Sequence, residues 1–84
     1  MPQPSKKQRV RRKDLNRVGT AVARLRKAQG LTQAGLMARA QVAGWNVSID
    51  VIRKIELGER EVTDIELVKL TKALRVPVTV LLAS

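Results

Sequence analysis

The sequence predicts an all-α domain, and three features support that prediction. Apolar residues recur at three- and four-residue spacing through most of the chain after residue 14. Serine and threonine stand where helices would begin, and glycines stand where helices would end. A chain of 84 residues can bury one small core. We therefore expect residues 1–13 to form a disordered basic arm and residues 14–84 to form one helical domain.

The first helix is predicted from Asp14 to Gln29, and Gly30 supplies its C-terminal cap. Its apolar stripe consists of Leu15, Val18, Val22 and Leu25. The basic residues fall mainly off that stripe, which by default makes them a solvated face, and we expect this of most of Arg17, Arg24, Arg26 and Lys27.

Two short helices follow. The first runs from its N-cap Thr32 to about Ala43 and carries apolar residues at Leu36, Met37 and Ala40. A turn over residues 44–47 leads to the second, Ser48 to Leu57, which Gly58 ends. Its inward face is predicted to be Val51, Ile52 and Ile55. Two short helices joined across a glycine-containing turn form a unit that places its second helix in a major groove of DNA.

Trp45 is the only aromatic residue of the chain and lies within that turn. We expect it to be a hydrophobic plug under the helix pair, since a buried tryptophan contributes much apolar area to a small core. The alternative is stacking on a ligand or on a sugar-phosphate.

The fourth helix is predicted to open with a capping box formed by Thr63 and Glu66. Its apolar side is expected to contain Ile65, Leu67, Val68, Leu70 and Leu74. Pro77 ends it, because the residue before a proline avoids the helical region. Residues 78–83 predict a short strand or one terminal helical turn, and Thr79 as an N-cap favours the turn. The apolar run at residues 80–82 either closes the core or forms a dimer contact.

The net charge of +10 indicates a polyanionic partner, either nucleic acid or an anionic membrane surface. Residues 1–14 hold six Lys or Arg against one acid, residues 15–49 five against none, and residues 50–84 six against six. The arm is either a solubilising tail or a segment that lies on the phosphate backbone or in a minor groove through Arg9, Arg11 and Arg12.

Several classes of protein are not expected. Cysteine and histidine are absent, which removes the commonest zinc ligands and the usual nucleophile and base pairs. No phosphate-binding glycine loop is present, so we expect no enzyme, no metal and no cofactor. No apolar run approaches the length of a membrane span, and no signal-peptide core follows Met1, so we expect a cytoplasmic protein.

The chain resembles the phage-repressor and Cro-like helix-turn-helix family of bacterial regulators, also called the xenobiotic-response-element family. The resemblance covers residues 17–82 and rests on the Gly30-Leu31-Thr32-Gln33 opening, the Ile55-Glu56-x-Gly58 closing and the intervals between them. It implies a compact five-helix bundle and a two-fold dimer on palindromic double-stranded DNA. The segment before Ser48 is longer than the family's usual turn and resembles a variant with an Ala-Gly-Trp insertion at residues 43–45.

The resemblance also implies roles for individual residues. Thr32, Gln33 and Ser48 correspond to phosphate contacts, and Ile49, Asp50 and Lys54 to positions that meet base edges, with Arg53 reaching base or backbone. Lys54 would address guanine, Asp50 a cytosine amino group and Ile49 a thymine methyl. Ile49 and Asp50 replace the polar or basic residues more usual there, and Glu59 and Glu61 leave Arg60 as the phosphate contact of the following loop.

Two functions from different classes follow. The first is a sequence-specific transcriptional regulator, a repressor or a modulator of a neighbouring promoter, whose third helix contacts DNA bases. The second is an antitoxin-like or coactivator-like module whose third helix meets a protein partner, while the basic arm gives only nonspecific attraction to nucleic acid. The acids Asp50, Glu59 and Glu61 favour the second reading.

Overall fold

The protein folds as five helices, in a computed structural model that describes the backbone of residues 12–82 and the side chains of residues 17–82. They are α1 (Arg12–Ala28), α2 (Gln33–Val42), α3 (Ile49–Glu56), α4 (Asp64–Leu74) and α5 (Val78–Leu82). Helix α1 packs against α3, α4 and α5, and α2 packs against α3 and α4. The predicted all-α class is confirmed.

The two ends of the domain differ from the prediction. Helix α1 begins at Arg12, two residues before the predicted Asp14. The terminal segment is a helix, so the strand alternative is wrong. The predicted N-cap at Thr79 is also wrong, because the residue lies inside α5, where the Val80 N–H already donates to the Pro77 carbonyl at 3.0 Å. Of the arm predicted for residues 1–13, the first eleven residues lie outside the described residues.

The predicted N-caps of the middle helices are confirmed. The Thr32 hydroxyl accepts a hydrogen bond from the Gly35 N–H at 3.0 Å, and the Ser48 hydroxyl accepts one from the Val51 N–H at 3.3 Å. At the start of α4, the Thr63 hydroxyl accepts from the Glu66 N–H, and the Glu66 carboxylate accepts from the Thr63 N–H at 3.1 Å. Each cap satisfies backbone groups that the first turn of a helix leaves unpaired.

Helices α1 to α4 all end in the same way. One residue adopts a left-handed backbone conformation, and the N–H of the residue after it donates a hydrogen bond to the carbonyl five residues earlier, as in a Schellman motif. The left-handed residue is Gly30 after α1, Gly44 after α2 and Gly58 after α3, but it is Arg75 after α4, with φ of 59°. The amide bonds run from Leu31 to Arg26, Trp45 to Ala40, Glu59 to Lys54 and Val76 to Thr71, at 2.9 to 3.1 Å.

The core is formed by one cluster of buried aliphatic side chains from all five helices. Leu81 of α5 is fully buried and closes the core, whereas Leu82 of the same run is 43% exposed. The prediction for α4 is wrong at Ile65 and Val68, which are 71% and 48% exposed. Leu67, Leu70 and Leu74 already form the stripe that faces the core, and a helix turns 100° per residue, which points Ile65 and Val68 elsewhere.

Gly19 sets the distance between α1 and α3. A Cβ atom at this position would lie 2.2 Å from the carbonyl oxygen of Ile55 and 3.1 Å from that of Glu56. Backbone atoms cannot move aside as the end of a flexible side chain can. The glycine therefore lets the end of α3 pack directly on the backbone of α1.

Candidate nucleic-acid interface

Helix α3 presents a charged face to solvent. Its first turn is fixed by Ser48, and its inner face is anchored by Ile52 and Ile55, which are both buried. Val51 is partly buried against the same core. The exposed face contains the four residues that the sequence analysis assigned to base readout, namely Ile49, Asp50, Arg53 and Lys54. The predicted orientation of α3 is confirmed.

Asp50 binds both cations of that face. Its carboxylate accepts a hydrogen bond from the Arg53 guanidinium one turn later, and the Lys54 ammonium lies 3.3 Å from its second oxygen. The bond from Arg53, followed by that from Lys54, lowers the pKa of Asp50. Residues three and four positions apart are neighbours on a helix, so this pairing follows from spacing alone. Three of the four predicted DNA contacts of this face are therefore already paired with one another in the free protein.

The N-terminus of α2 meets the end of α3 at one carboxylate. Glu56 accepts from the Arg26 guanidinium at 2.7 and 3.1 Å, and from the Gln33 side-chain amide at 3.1 Å. The predicted phosphate contact Gln33 is thus held by Glu56, while Thr32 next to it remains exposed. The arrangement links α1 and the start of α2 to the end of α3.

Arg26 was predicted to be solvated, and that prediction is wrong. The side chain is only 9% exposed and also donates to the Leu31 carbonyl at 2.7 Å. Hydrogen bonding to Glu56 raises the pKa of Arg26. Thirty residues separate the two partners along the chain, so no local spacing indicated their pairing.

The turn between α2 and α3 is built on buried apolar atoms. Val47 is buried, and Trp45 packs against the core while remaining partly exposed, which agrees with the predicted plug. The Gln41 side-chain amide donates to the Val47 carbonyl at 3.5 Å, and the Lys69 ammonium donates to the Ala43 carbonyl at 3.4 Å. These contacts fix the six-residue connection before α3.

The remaining predicted contacts stand apart from α3. The Arg60 guanidinium donates to both oxygens of Glu66 at 2.8 and 2.9 Å and to the Glu61 carbonyl at 2.8 Å. The Arg60 side chain is therefore hydrogen-bonded to the start of α4. A phosphate contact would have to use the N–H groups of the guanidinium that these bonds leave free. Arg9 and Arg11 lie outside the described residues, and so does the side chain of Arg12, where the α1 backbone begins.

Two other kinds of site are absent from the described part of the chain. None of its helices combines the length and the hydropathy that a membrane span requires. Within the same residues, no three of the acidic, cysteine or histidine side chains come together as they would around a metal ion.

A capped helix pair with a buried inner face and an exposed charged outer face defines a DNA-binding helix-turn-helix domain. The comparison with known families agrees with this class. The helix-turn-helix family profile matches residues 22–81. The chain belongs to the Cro/C1-type, or xenobiotic-response-element, family of helix-turn-helix proteins.

A solved structure supports the same assignment. The chain is similar to the restriction-modification controller protein C.AhdI from Aeromonas hydrophila, with 28% sequence identity and a TM-score of 0.71. The match covers 81% of this chain and 96% of the other. A search among curated proteins found no significant match. Family and neighbour together identify the chain as a sequence-specific DNA-binding transcriptional regulator, and the protein-interaction alternative is not favoured.

Proposed function

We propose that the protein acts by placing α3 in a major groove of double-stranded DNA, so that it controls a promoter by occupying it. The observation that carries this proposal is the division of α3 into a buried side, Ile52 and Ile55, and an exposed charged side that includes Arg53 and Lys54. A side chain must be both exposed and held on a rigid element to contact base edges. Occupancy of a promoter requires no chemistry of the protein's own.

Individual contacts follow from the orientation of the two helix starts. Thr32 and Ser48 lie exposed at the N-termini of α2 and α3, where free amides and the helix dipole favour a phosphate. Lys54 would donate to guanine O6 or N7, and Arg53 to a base or to the backbone. Ile49, exposed at the start of α3, would pack on a thymine methyl.

Asp50 would also discriminate between DNA sequences. In the free protein its single carboxylate forms ion pairs with both Arg53 and Lys54, so binding must exchange these ion pairs for contacts with DNA. Where a cytosine amino group faces Asp50, the carboxylate gains a partner; at other sequences it faces acceptors and phosphates that repel it. This exchange would reduce attraction to random DNA more than attraction to the correct site.

The same proposal includes a homodimer. Ile65 and Val68 lie exposed on one side of α4, and Leu82 is exposed on α5, which packs against α4. Exposed aliphatic residues of this kind are typical of protein contacts. Two copies related by a two-fold axis would present two α3 helices to an inverted repeat. We propose that this dimer works in the bacterial cytoplasm as a repressor or promoter modulator, a role consistent with the controller protein to which the chain is similar.

The test is selection from a random duplex pool by the full-length protein at near-physiological salt. We expect an enriched inverted repeat with half-site centres about 10 base pairs apart, or a multiple of that spacing. Retention that depends on salt but enriches no motif would contradict the proposal and would direct the search to a protein partner for α3.

Lys54→Ala then tests the assigned contact. If Lys54 contacts a base, the preference for the selected sequence should fall by about 1 to 3 kcal/mol at the matching position. Lys27→Ala removes an exposed lysine of α1 and serves as the control. Equal weakening of Lys54→Ala on all sequences would make Lys54 a backbone contact only.

A further inference from the structure

A groove lies between the C-terminal halves of α2 and α4. It encloses about 450 Å³ and is lined by Ala38, Arg39, Val42, Ala43, Lys72, Ala73 and Arg75. No residue of α3 lines it, so it is separate from the face assigned to DNA. The volume falls within the range of ligand-binding clefts.

The lining of the groove includes exposed aliphatic side chains. Val42, in the last turn of α2, is 91% exposed, although nothing about a helix end requires a valine there. Ala38 lies one turn earlier and is also exposed. A partner that covered these side chains would remove their apolar surface from water, which is favourable.

All charged residues that line the groove are positive, because the lining includes three cations and no acid. The Arg39 guanidinium is held in place by bonds to the Gln29 side-chain oxygen at 2.8 Å and to the Ala73 carbonyl at 3.4 Å. Neither Lys72 nor Arg75 forms an ion pair among the residues described. An anionic partner would therefore meet cations that no carboxylate within the domain neutralises.

Arg75 occupies a position where the other helix ends have glycine. Its φ of 59° is left-handed, as at Gly30, Gly44 and Gly58 in the equivalent positions of α1, α2 and α3. This conformation is unfavourable for a residue with a Cβ atom. Sparsely populated backbone conformations concentrate at functional sites. Here the residue in that conformation is one of the cations that line the groove.

We propose that this groove binds an acidic peptide segment of a partner protein, with an aliphatic side chain of the peptide packed on Val42 and Ala38. Nucleic acid fits less well, since its phosphates offer no apolar group to pack on Val42 and Ala38. The segment would bind at the same time as DNA, because the groove and α3 share no residue. The protein would thereby connect a DNA site to a second protein.

The probe is a fluorescein-labelled decapeptide with two leucines four positions apart among aspartates and glutamates. Anisotropy titration and amide chemical-shift mapping use the full-length protein, with and without saturating duplex DNA. We expect a Kd on the order of 100 μM, as for a small, solvent-exposed contact. Shifts should be confined to the C-terminal halves of α2 and α4, and DNA should not displace the peptide.

Matched variants separate the groove from general charge attraction. Lys72→Glu should weaken the peptide at least about 10-fold, whereas Lys54→Glu, with the same charge change on α3, should leave its affinity within about 2-fold. Val42→Ser and a peptide with serine in place of both leucines should each weaken binding as well. Equal effects of Lys72→Glu and Lys54→Glu, displacement by DNA, or equal binding of both peptides would overturn the proposal.

Discussion

At the residue scale, the Glu56 carboxylate connects three helices, α1, α2 and α3. Its carboxylate holds Arg26 from α1 and Gln33 from α2 at the end of α3. Both members of the ion pair are almost buried, with side chains 11% and 7% exposed. A pair of this kind stabilises little compared with apolar residues, but removal of one partner leaves a buried charge without compensation. The cluster therefore determines orientation more than net stability.

Glu56→Ala should destabilise the domain by about 3 kcal/mol, because the Arg26 guanidinium would stay buried without its carboxylate. Urea unfolding followed by far-ultraviolet circular dichroism measures the change. Glu59→Ala, which removes an exposed acid three residues later, should change stability by less than about 0.5 kcal/mol. The double variant Arg26→Met with Glu56→Leu should regain most of the loss. A loss below about 1 kcal/mol for Glu56→Ala would contradict a buried, uncompensated charge.

Asp50→Asn should raise affinity for random duplex DNA and reduce the preference for the selected site by about 10-fold, because it frees Arg53 and Lys54 and removes an acid from the DNA face. Anisotropy titrations on both duplexes at one salt concentration give the ratio. Asp64→Asn, at the exposed first turn of α4, makes the same charge change away from α3. An unchanged ratio in Asp50→Asn would exclude a role of Asp50 in discrimination.

At the scale of helices, the contacts between α1 and α3 depend on one missing side chain. Gly19→Ala should destabilise the domain by about 1 to 3 kcal/mol, since its Cβ would overlap the Ile55 carbonyl and neither backbone can yield cheaply. Gly35→Ala is the matched control within α2. Its Cβ would meet only ordinary contacts at 3.4 Å, so higher helix propensity should leave stability equal or raised by up to about 1 kcal/mol. Equal thermal midpoints for the two variants would contradict the close approach.

The start of α4 couples helix capping to pH. The bond from Arg60, together with the Thr63 amide, lowers the pKa of Glu66. A carboxyl with a lowered pKa in the folded state contributes stability above its unfolded value of about 4.3 and loses it as pH falls through the folded value. Glu66→Gln retains a capping-box residue but loses the charge. The substitution should lower the free energy of unfolding by about 0.5 to 1 kcal/mol at pH 7. The difference in stability from the wild type should vanish at strongly acidic pH. A difference that persists there would not be electrostatic.

Elements set by neighbouring residues could be predicted from the sequence. Thr32, Ser48 and the Thr63 box mark helix starts through bonds that span three residues, and the inward face of α3 follows from periodicity. The Asp50 pairing has the same local origin, and its spacing was available as a signal. The Arg26–Glu56 pair and the fit of Gly19 depend on contacts between helices distant in sequence. The spacing of residues along the chain does not show which positions of two such helices face each other.

At the scale of the whole molecule, positive charge is divided between residues 1–11 and the rest of the chain. Deletion of residues 1–11, which ends before α1, removes four Lys or Arg. Affinity for DNA should then fall on all sequences, and the slope of log K against log salt should become shallower by up to about 3 to 4 units, at about 0.9 per phosphate contact. The enriched sequence should be unchanged, because α3 is intact. Loss of all sequence preference would mean that the arm, and not α3, determines recognition.

The proposed dimer gives a prediction at the same scale. Ile65→Asp should make the protein monomeric at concentrations where the wild type sediments as a dimer, because it places a charge in an aliphatic contact. Binding to an inverted repeat should weaken, while the folded state is preserved because Ile65 is largely exposed. Val42→Asp changes an exposed aliphatic residue outside that surface and should stay dimeric. Dissociation of neither variant would exclude the α4 surface as the interface.

Trp45 gives the molecule one further property. The chain contains no tyrosine and no phenylalanine, so all of its near-ultraviolet emission comes from a single indole. That indole follows the end of α2 and packs against the core beside α3. The protein therefore carries an intrinsic optical label at the joint of its helix pair. A change in emission wavelength or lifetime on addition of DNA would report the surroundings of that joint alone, without any attached dye.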